Sequence, residues 1–246
     1  MILRRRSLFL AGLLLAFLLH AFPGWAQQAL STHGPTILDT REGKIRVVPV
    51  ATGLFHPWSL AFADDHTLLV TERNGPLRII RDGVLLPEPA WTSPTPPGES
   101  ADSLHFVAVH PKFAQNHLVY VSYPKRNGES FTLAVARGRL SGAKITDVEE
   151  IFVADAWETG GNLAGRVFLT PDGSLYVTVG DRDRICCNGT DDNSLRMKAQ
   201  SLDNDAGKTL RLRDDGTVPP DNPFVDRAGA KPEILSLIHI SEPTRP

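Results

Sequence analysis

Three segments of this chain repeat one grammar, and that repetition constrains the fold more than any other feature. Ser59-Leu60-Ala61-Phe62 leads through Asp64-Asp65 to Thr67–Arg73. Phe106-Val107-Ala108-Val109 leads through His110-Pro111-Lys112 to Leu118–Ser122. Arg166-Val167-Phe168-Leu169 leads through Pro171-Asp172-Gly173 to Ser174–Val179. Each reads as strand, tight turn, strand, with β-branched and small residues in the second strand. The units start 47 and 60 residues apart, at 59, 106 and 166. No long stretch keeps a 3.6-residue apolar period, so an all-β fold is expected. Loose repetition at about 40–50 residues is the signature of propeller blades, each of about four strands. A β-sandwich of unrelated hairpins would not need three copies of the same pattern.

The spaces between the units fit that reading. Pro87–Pro97 holds five prolines and cannot be a central strand, so it is expected to be a connecting loop. Asp181–Asp205 is polar and irregular, a second long loop. Asp82-Gly83 and Asp215-Gly216 are expected to close further hairpins. The 246 residues, 41% of them hydrophobic, suffice for one domain with a sizeable core. Twenty-six Lys and Arg balance 28 Asp and Glu, and no basic run follows the first ten residues, which argues against a nucleic-acid partner.

The two ends read differently from the middle. Arg4-Arg5-Arg6, the apolar run Leu8–Leu19 and Gly24-Trp25-Ala26 make residues 1–26 a secretory signal, and the apolar run is too short to span a bilayer comfortably. The mature chain is therefore expected in the periplasm or outside the cell. At the other end, Leu235-Ser236-Leu237-Ile238-His239-Ile240-Ser241-Glu242-Pro243-Thr244-Arg245 matches the translation of a sequencing-library adapter. On this reading 235–246 is a non-native tail and 27–234 is the propeller portion, about four blades long.

Cys186 and Cys187 are the only cysteines and are adjacent. An oxidising compartment would permit a vicinal disulfide, although Cα atoms about 3.8 Å apart leave it strained; two thiols are the alternative. No other cysteine or nearby histidine completes a metal site. Asp191, Asp192 and Asp203 do not have EF-hand spacing and read as solvated acids.

A set of motifs carries a resemblance to a known family. These are Gly53-Leu54 with Pro57-Trp58-Ser59-Leu60-Ala61-Phe62, Thr71-Glu72-Arg73, His110-Pro111, Gly165-Arg166, Pro171-Asp172-Gly173 running into Val179-Gly180-Asp181, Gly207-Lys208-Thr209-Leu210-Arg211-Leu212, and Asp221-Asn222-Pro223-Phe224. In this order they resemble the glucose/sorbosone dehydrogenase family, soluble aldose dehydrogenases that use pyrroloquinoline quinone (PQQ). The resemblance spans about residues 45–234. It implies a six-bladed β-propeller, a bound PQQ and Ca²⁺, a sugar substrate and an external electron acceptor. It also implies hydride transfer from a sugar carbon to the quinone while a base takes the hydroxyl proton.

In the family that base is a histidine shortly before Gly-Arg, oriented by the Asp that ends the next strand. The Asp is present as Asp181; the histidine slot holds Asn162. An amide cannot take up a proton near neutral pH, and a positioned base contributes about 10²–10⁴-fold. The family's substrate-contacting glutamine slot holds Ala101, followed by Asp102. His105, just beyond it, could supply a base; a partly buried strand histidine is the plainer reading. The family's Gly-His-Arg-Asn stretch, Ca²⁺ turn and basic cofactor ligands would follow Ile234, so no cofactor or metal ligand is assignable. These departures leave two expectations: a PQQ-dependent sugar dehydrogenase whose activity in this chain is in question, or a non-catalytic exported propeller that binds carbohydrate or protein. A Ca²⁺-dependent lactone hydrolase on a similar propeller is a third and weaker one.

Overall fold

A computed structural model of the chain describes residues 35–73, 75–94, 104–182 and 197–237. The expectations for residues 1–26, Ala101, Asp102, Cys186, Cys187, Asp191, Asp192 and 238–246 lie outside the described residues. Among the described residues every paired strand is antiparallel. Residues up to Pro49 form one unit, whose described part is a hairpin of β1 (Thr36–Thr40) and β2 (Gly43–Val47) with every residue exposed.

The second unit, from Val50, carries three four-stranded sheets. The first is β3 (Pro57–Phe62), β4 (Thr67–Glu72), β5 (Leu77–Arg81) and β6 (Val84–Leu85), in that order. The next holds β7 (Val107–Val109), β8 (Leu118–Asn127), β9 (Ser130–Ser141) and β10 (Lys144–Val153). The third holds β11 (Ala164–Leu169), β12 (Leu175–Val179), β13 (Lys208–Leu212) and β14 (Ile234–Leu237). The three repeats seen in the sequence are therefore the first two strands of the three sheets. β14 is an edge strand, and Leu235–Leu237 lie within it.

The sheets stack face to face. Side chains alternate along a strand, so a strand between two sheets must be apolar on both sides. β8 meets that demand. Val119, Val121 and Tyr123 pack into the cluster shared with the first sheet, around Leu69, Leu77 and Ile79. Leu118 and Tyr120 pack into the one shared with the third, around Leu175, Val177 and Leu210. Burying each such large side chain contributes roughly 1.5–3 kcal/mol.

Two turn expectations need correction. The β7–β8 connection is not a tight turn but contains a one-turn helix, α1 (Phe113–Asn116). His110 organises it: its Nδ1 accepts from Lys112 N and Asn116 Nδ2, both at 2.9 Å, and Asn116 Oδ1 accepts from Leu118 N. Asp215-Gly216 forms a turn but joins no paired strands, since β13 pairs with β14 some twenty residues later. Instead that turn docks on the middle sheet. Asp214 O accepts from Tyr120 Oη at 3.0 Å, and a Cβ on Gly216 would stand 2.2 Å from Ile151 O. The Asp82-Gly83 turn closes β5–β6 as expected, with both residues at positive φ.

Candidate functional site

The chain is most constrained where β11 begins and β12 ends. Ala164 pairs with Val179, but the register slips between Ala164 and Val167, leaving Gly165 and Arg166 in a bulge. Ala164 and Gly165 have φ of 57° and 100°, Gly161 of 83° and Arg182 of 64°. Non-glycine residues at positive φ are strained, and such strain clusters at functional sites. Gly180 N donates to Leu163 O at 3.0 Å, and a Cβ on Gly180 would stand 2.2 Å from Asn162 O. Only glycine admits so close a backbone approach. It brings the Asn162 backbone against the residue preceding Asp181. Asn162 is exposed and Asp181 half-buried.

Two further groups converge here. Arg182 is fully buried, donates to Gly161 O at 3.2 Å and Phe131 O at 3.1 Å, and lies 4.4 Å over the Phe131 ring. It thereby ties the segment before Asn162 to the middle sheet. His105 enters from the other side. Its backbone N donates to Ser122 O, its carbonyl accepts from Thr71 Oγ1 at 2.8 Å, and its Nδ1 lies 2.6 Å from Ala164 O. A Cβ on Gly165 would crowd His105 Nδ1 at 2.9 Å. His105 thus touches all three sheets. Burial, opposed by the Ala164 bond, holds its pKa below the ordinary histidine value, and Arg182 and Arg73 push the same way.

Near the starts of β3, β7 and β11 runs a ladder of rings and cations. The exposed Arg73 guanidinium lies 5.7 Å from the Trp58 ring, Trp58 meets Phe106 edge-on at 6.5 Å, and exposed Arg166 lies 4.7 Å over Phe106. Flat faces flanked by guanidiniums suit a planar anionic molecule.

Behind β12, Lys208 and Asp205 are fully buried. Lys208 Nζ donates to the carbonyls of Lys198, Ala199 and Ala206, and burial lowers its pKa to about 8. Asp205 Oδ2 accepts from Asp155 N at 2.7 Å, Oδ1 has no partner among the described residues, and burial raises its pKa to about 7. No cluster of three or more His, Cys, Asp or Glu that could hold a metal occurs among the described residues.

Sequence reasoning passed over Arg182 and Asp205 as contributors to this region. For Arg182 a signal existed: it is a charged residue directly after the apolar strand run that ends in Val179-Gly180-Asp181.

The model of the glucose/sorbosone dehydrogenase family matches residues 54–241. The chain belongs to that family. An aldose sugar dehydrogenase of Escherichia coli (strain K12) is 36% identical over 189 residues, 74% of this chain and 48% of that protein. The crystal structure of the soluble aldose sugar dehydrogenase of Escherichia coli in its apo form superposes with a TM-score of 0.63 at 33% identity, over 74% of this chain and 50% of that one. The PQQ-bound aldose sugar dehydrogenase of Streptomyces coelicolor shares the fold at a TM-score of 0.57 and 24% identity, over 81% of this chain and 53% of that one. The chain spans about half the length of the curated relatives it matches.

Proposed function

We propose that the protein oxidises an aldose sugar, or a related hydroxyl compound, with PQQ as hydride acceptor and an external acceptor to reoxidise it. The reading rests on the family match across 54–241 combined with one observation of geometry: the bulged start of β11 meets the end of β12, bringing the Asn162 backbone to the residue before Asp181. We further propose that the three four-stranded sheets are blades of the family's six-bladed propeller, and that the protein is exported.

When bound, PQQ supplies a quinone carbon that accepts the hydride. Arg73 and Arg166, with Trp58 and Phe106 beneath them, have the charge and planarity that a flat polycarboxylate requires. The Asn162 amide can hold a sugar hydroxyl by donating and accepting hydrogen bonds. The described residues offer no comparable fit for Ca²⁺.

The second reading, a non-catalytic sugar-binding propeller, is favoured by Asn162 in the slot of the family's base. One experiment separates the two. Purified protein is titrated with PQQ, binding is followed by absorbance, and aldose-dependent dye reduction is then measured. PQQ binding with sugar-dependent reduction is the expected result. Sugar binding without PQQ binding or reduction would move the assignment to the binding module.

A further inference from the structure

We propose that His105, through Nε2, is the group that takes the substrate's hydroxyl proton in this protein, in place of the family's histidine. The proposal rests on the dehydrogenase reading above and goes beyond it. The chain lacks a titratable base at Asn162, and the structure brings an imidazole from a different sheet to the same backbone segment: His105 Nδ1 lies 2.6 Å from Ala164 O, two residues from Asn162. A carbonyl oxygen can only accept, so Nδ1 carries the hydrogen. In the neutral ring Nε2 is then the bare nitrogen with an available lone pair. His105 is half-buried, and its Nε2 has no hydrogen-bond partner among the described residues.

The rest of the surroundings suit a base. The His105 backbone is held by Ser122 O and Thr71 Oγ1, and its ring is oriented by the Nδ1 bond to Ala164 O. Gly165 leaves room for it, since any Cβ there would collide with Nδ1. Among the described residues, the charged groups that act on it are Arg182, after β12, and Arg73, after β4. Both disfavour the imidazolium, as does burial, so the ring stays neutral and able to accept a proton at neutral pH. The step balances. The sugar O–H bond breaks and its proton goes to Nε2. The O–H electron pair becomes the second bond of the new carbonyl. The C–H electron pair leaves with its hydrogen as hydride to the quinone, so sugar is oxidised and acceptor reduced. Nε2 later returns its proton to solvent.

The test compares His105→Asn, Asn162→His and the double variant in the PQQ-loaded protein, with imidazole nitrogen NMR on the wild type without cofactor. Asparagine keeps an N–H for Ala164 O but cannot act as a base. Expected are a loss of roughly 10²–10⁴-fold in kcat for His105→Asn, little change in sugar affinity, and loss of the acid limb from the pH profile. The double variant should recover at least about tenfold of that loss, because a histidine at 162 restores a base. The NMR should show the neutral ring protonated on Nδ1, titrating below the ordinary histidine range. Turnover and acid limb retained in His105→Asn, or a ring protonated on Nε2, would overturn the assignment while leaving the dehydrogenase reading intact. A wild type that binds PQQ but reduces no dye with any aldose would overturn both.

Discussion

The two ends of the β11–β12 hairpin are built on opposite principles. At the far end, Pro171-Asp172-Gly173 is satisfied by its own neighbours. Gly173 takes φ 88°, Thr170 N donates to Ser174 O, and the Asp172 carboxylate accepts from Thr170 Oγ1, Ser174 N and Ser174 Oγ. Nothing there is buried or strained beyond what a glycine absorbs. At the near end the backbone is bulged, two non-glycine residues sit at positive φ, and Arg182, Lys208 and Asp205 are buried. A turn that only reverses the chain needs local bonds. An end that must aim side chains at a ligand borrows its bonds from other sheets, and its residues become interdependent.

The sharpest way to break that contrast is at Arg182. Arg182→Met keeps a long apolar stem but removes the donors to Gly161 O and Phe131 O. Each buried carbonyl left without its donor costs about 1–3 kcal/mol. In a domain of this size the two together lower Tm by about 4 °C or more. The segment before Asn162 should also loosen, read as faster amide exchange at Gly161 to Leu163. A melting point within about 2 °C of wild type would mean that the near end does not depend on its borrowed bonds.

Asp205 gives a smaller effect that depends on pH. Its carboxyl is pushed up to about 7, first by burial and then by Glu233. The unfolded chain ionises this group near the ordinary value of about 3.9. Its contribution to stability is therefore full below that value and is lost as pH rises through about 7. The loss is at most of order 1.4 kcal/mol for each pH unit over which only the unfolded chain is ionised. Asp205→Asn removes the titration. Between pH 5 and pH 7.5 the wild type should lose Tm relative to the variant. Parallel Tm curves for the two proteins would show that the buried acid is ionised throughout.

How much of this was legible follows the same contrast. The three repeats marked the first two strands of all three sheets, because alternation and β-branching are local. Asp82-Gly83 was legible for the same reason. Asp215-Gly216 was misplaced because its partner is Ile151, in another sheet, and no spacing rule reports that. The helical turn after His110 depends on one buried ring accepting two bonds, which a His-Pro pair does not announce. At the site, Asn162 and Asp181 were legible only through resemblance. The contact of His105 with Ala164 spans 59 residues, so sequence could name the histidine but not its place.

The smallest effect is expected at the far end, and it serves as the control for the rest. Asp172 is fully exposed, and its hydrogen bond from Thr170, with those from Ser174, holds its pKa below the usual aspartate value. A depressed carboxylate contributes stability above the unfolded value, and that contribution fades as pH falls through the folded one. Asp172→Ala should therefore lower Tm slightly at neutral pH, by no more than about 2 °C, because solvent competes for every bond it loses. The gap should begin to close near the ordinary aspartate value of about 3.9, where the unfolded chain protonates, and vanish as the pH falls through the lower folded value. Sugar oxidation and the pH profile should be untouched, since the described bonds of Asp172 stay within Thr170–Ser174. Thermal melts at neutral and acid pH, with dye-linked rates on the same samples, check all three statements. A change in kcat at Asp172 would mean the two ends are coupled through the hairpin, and the division between a self-sufficient turn and a supported site would not hold.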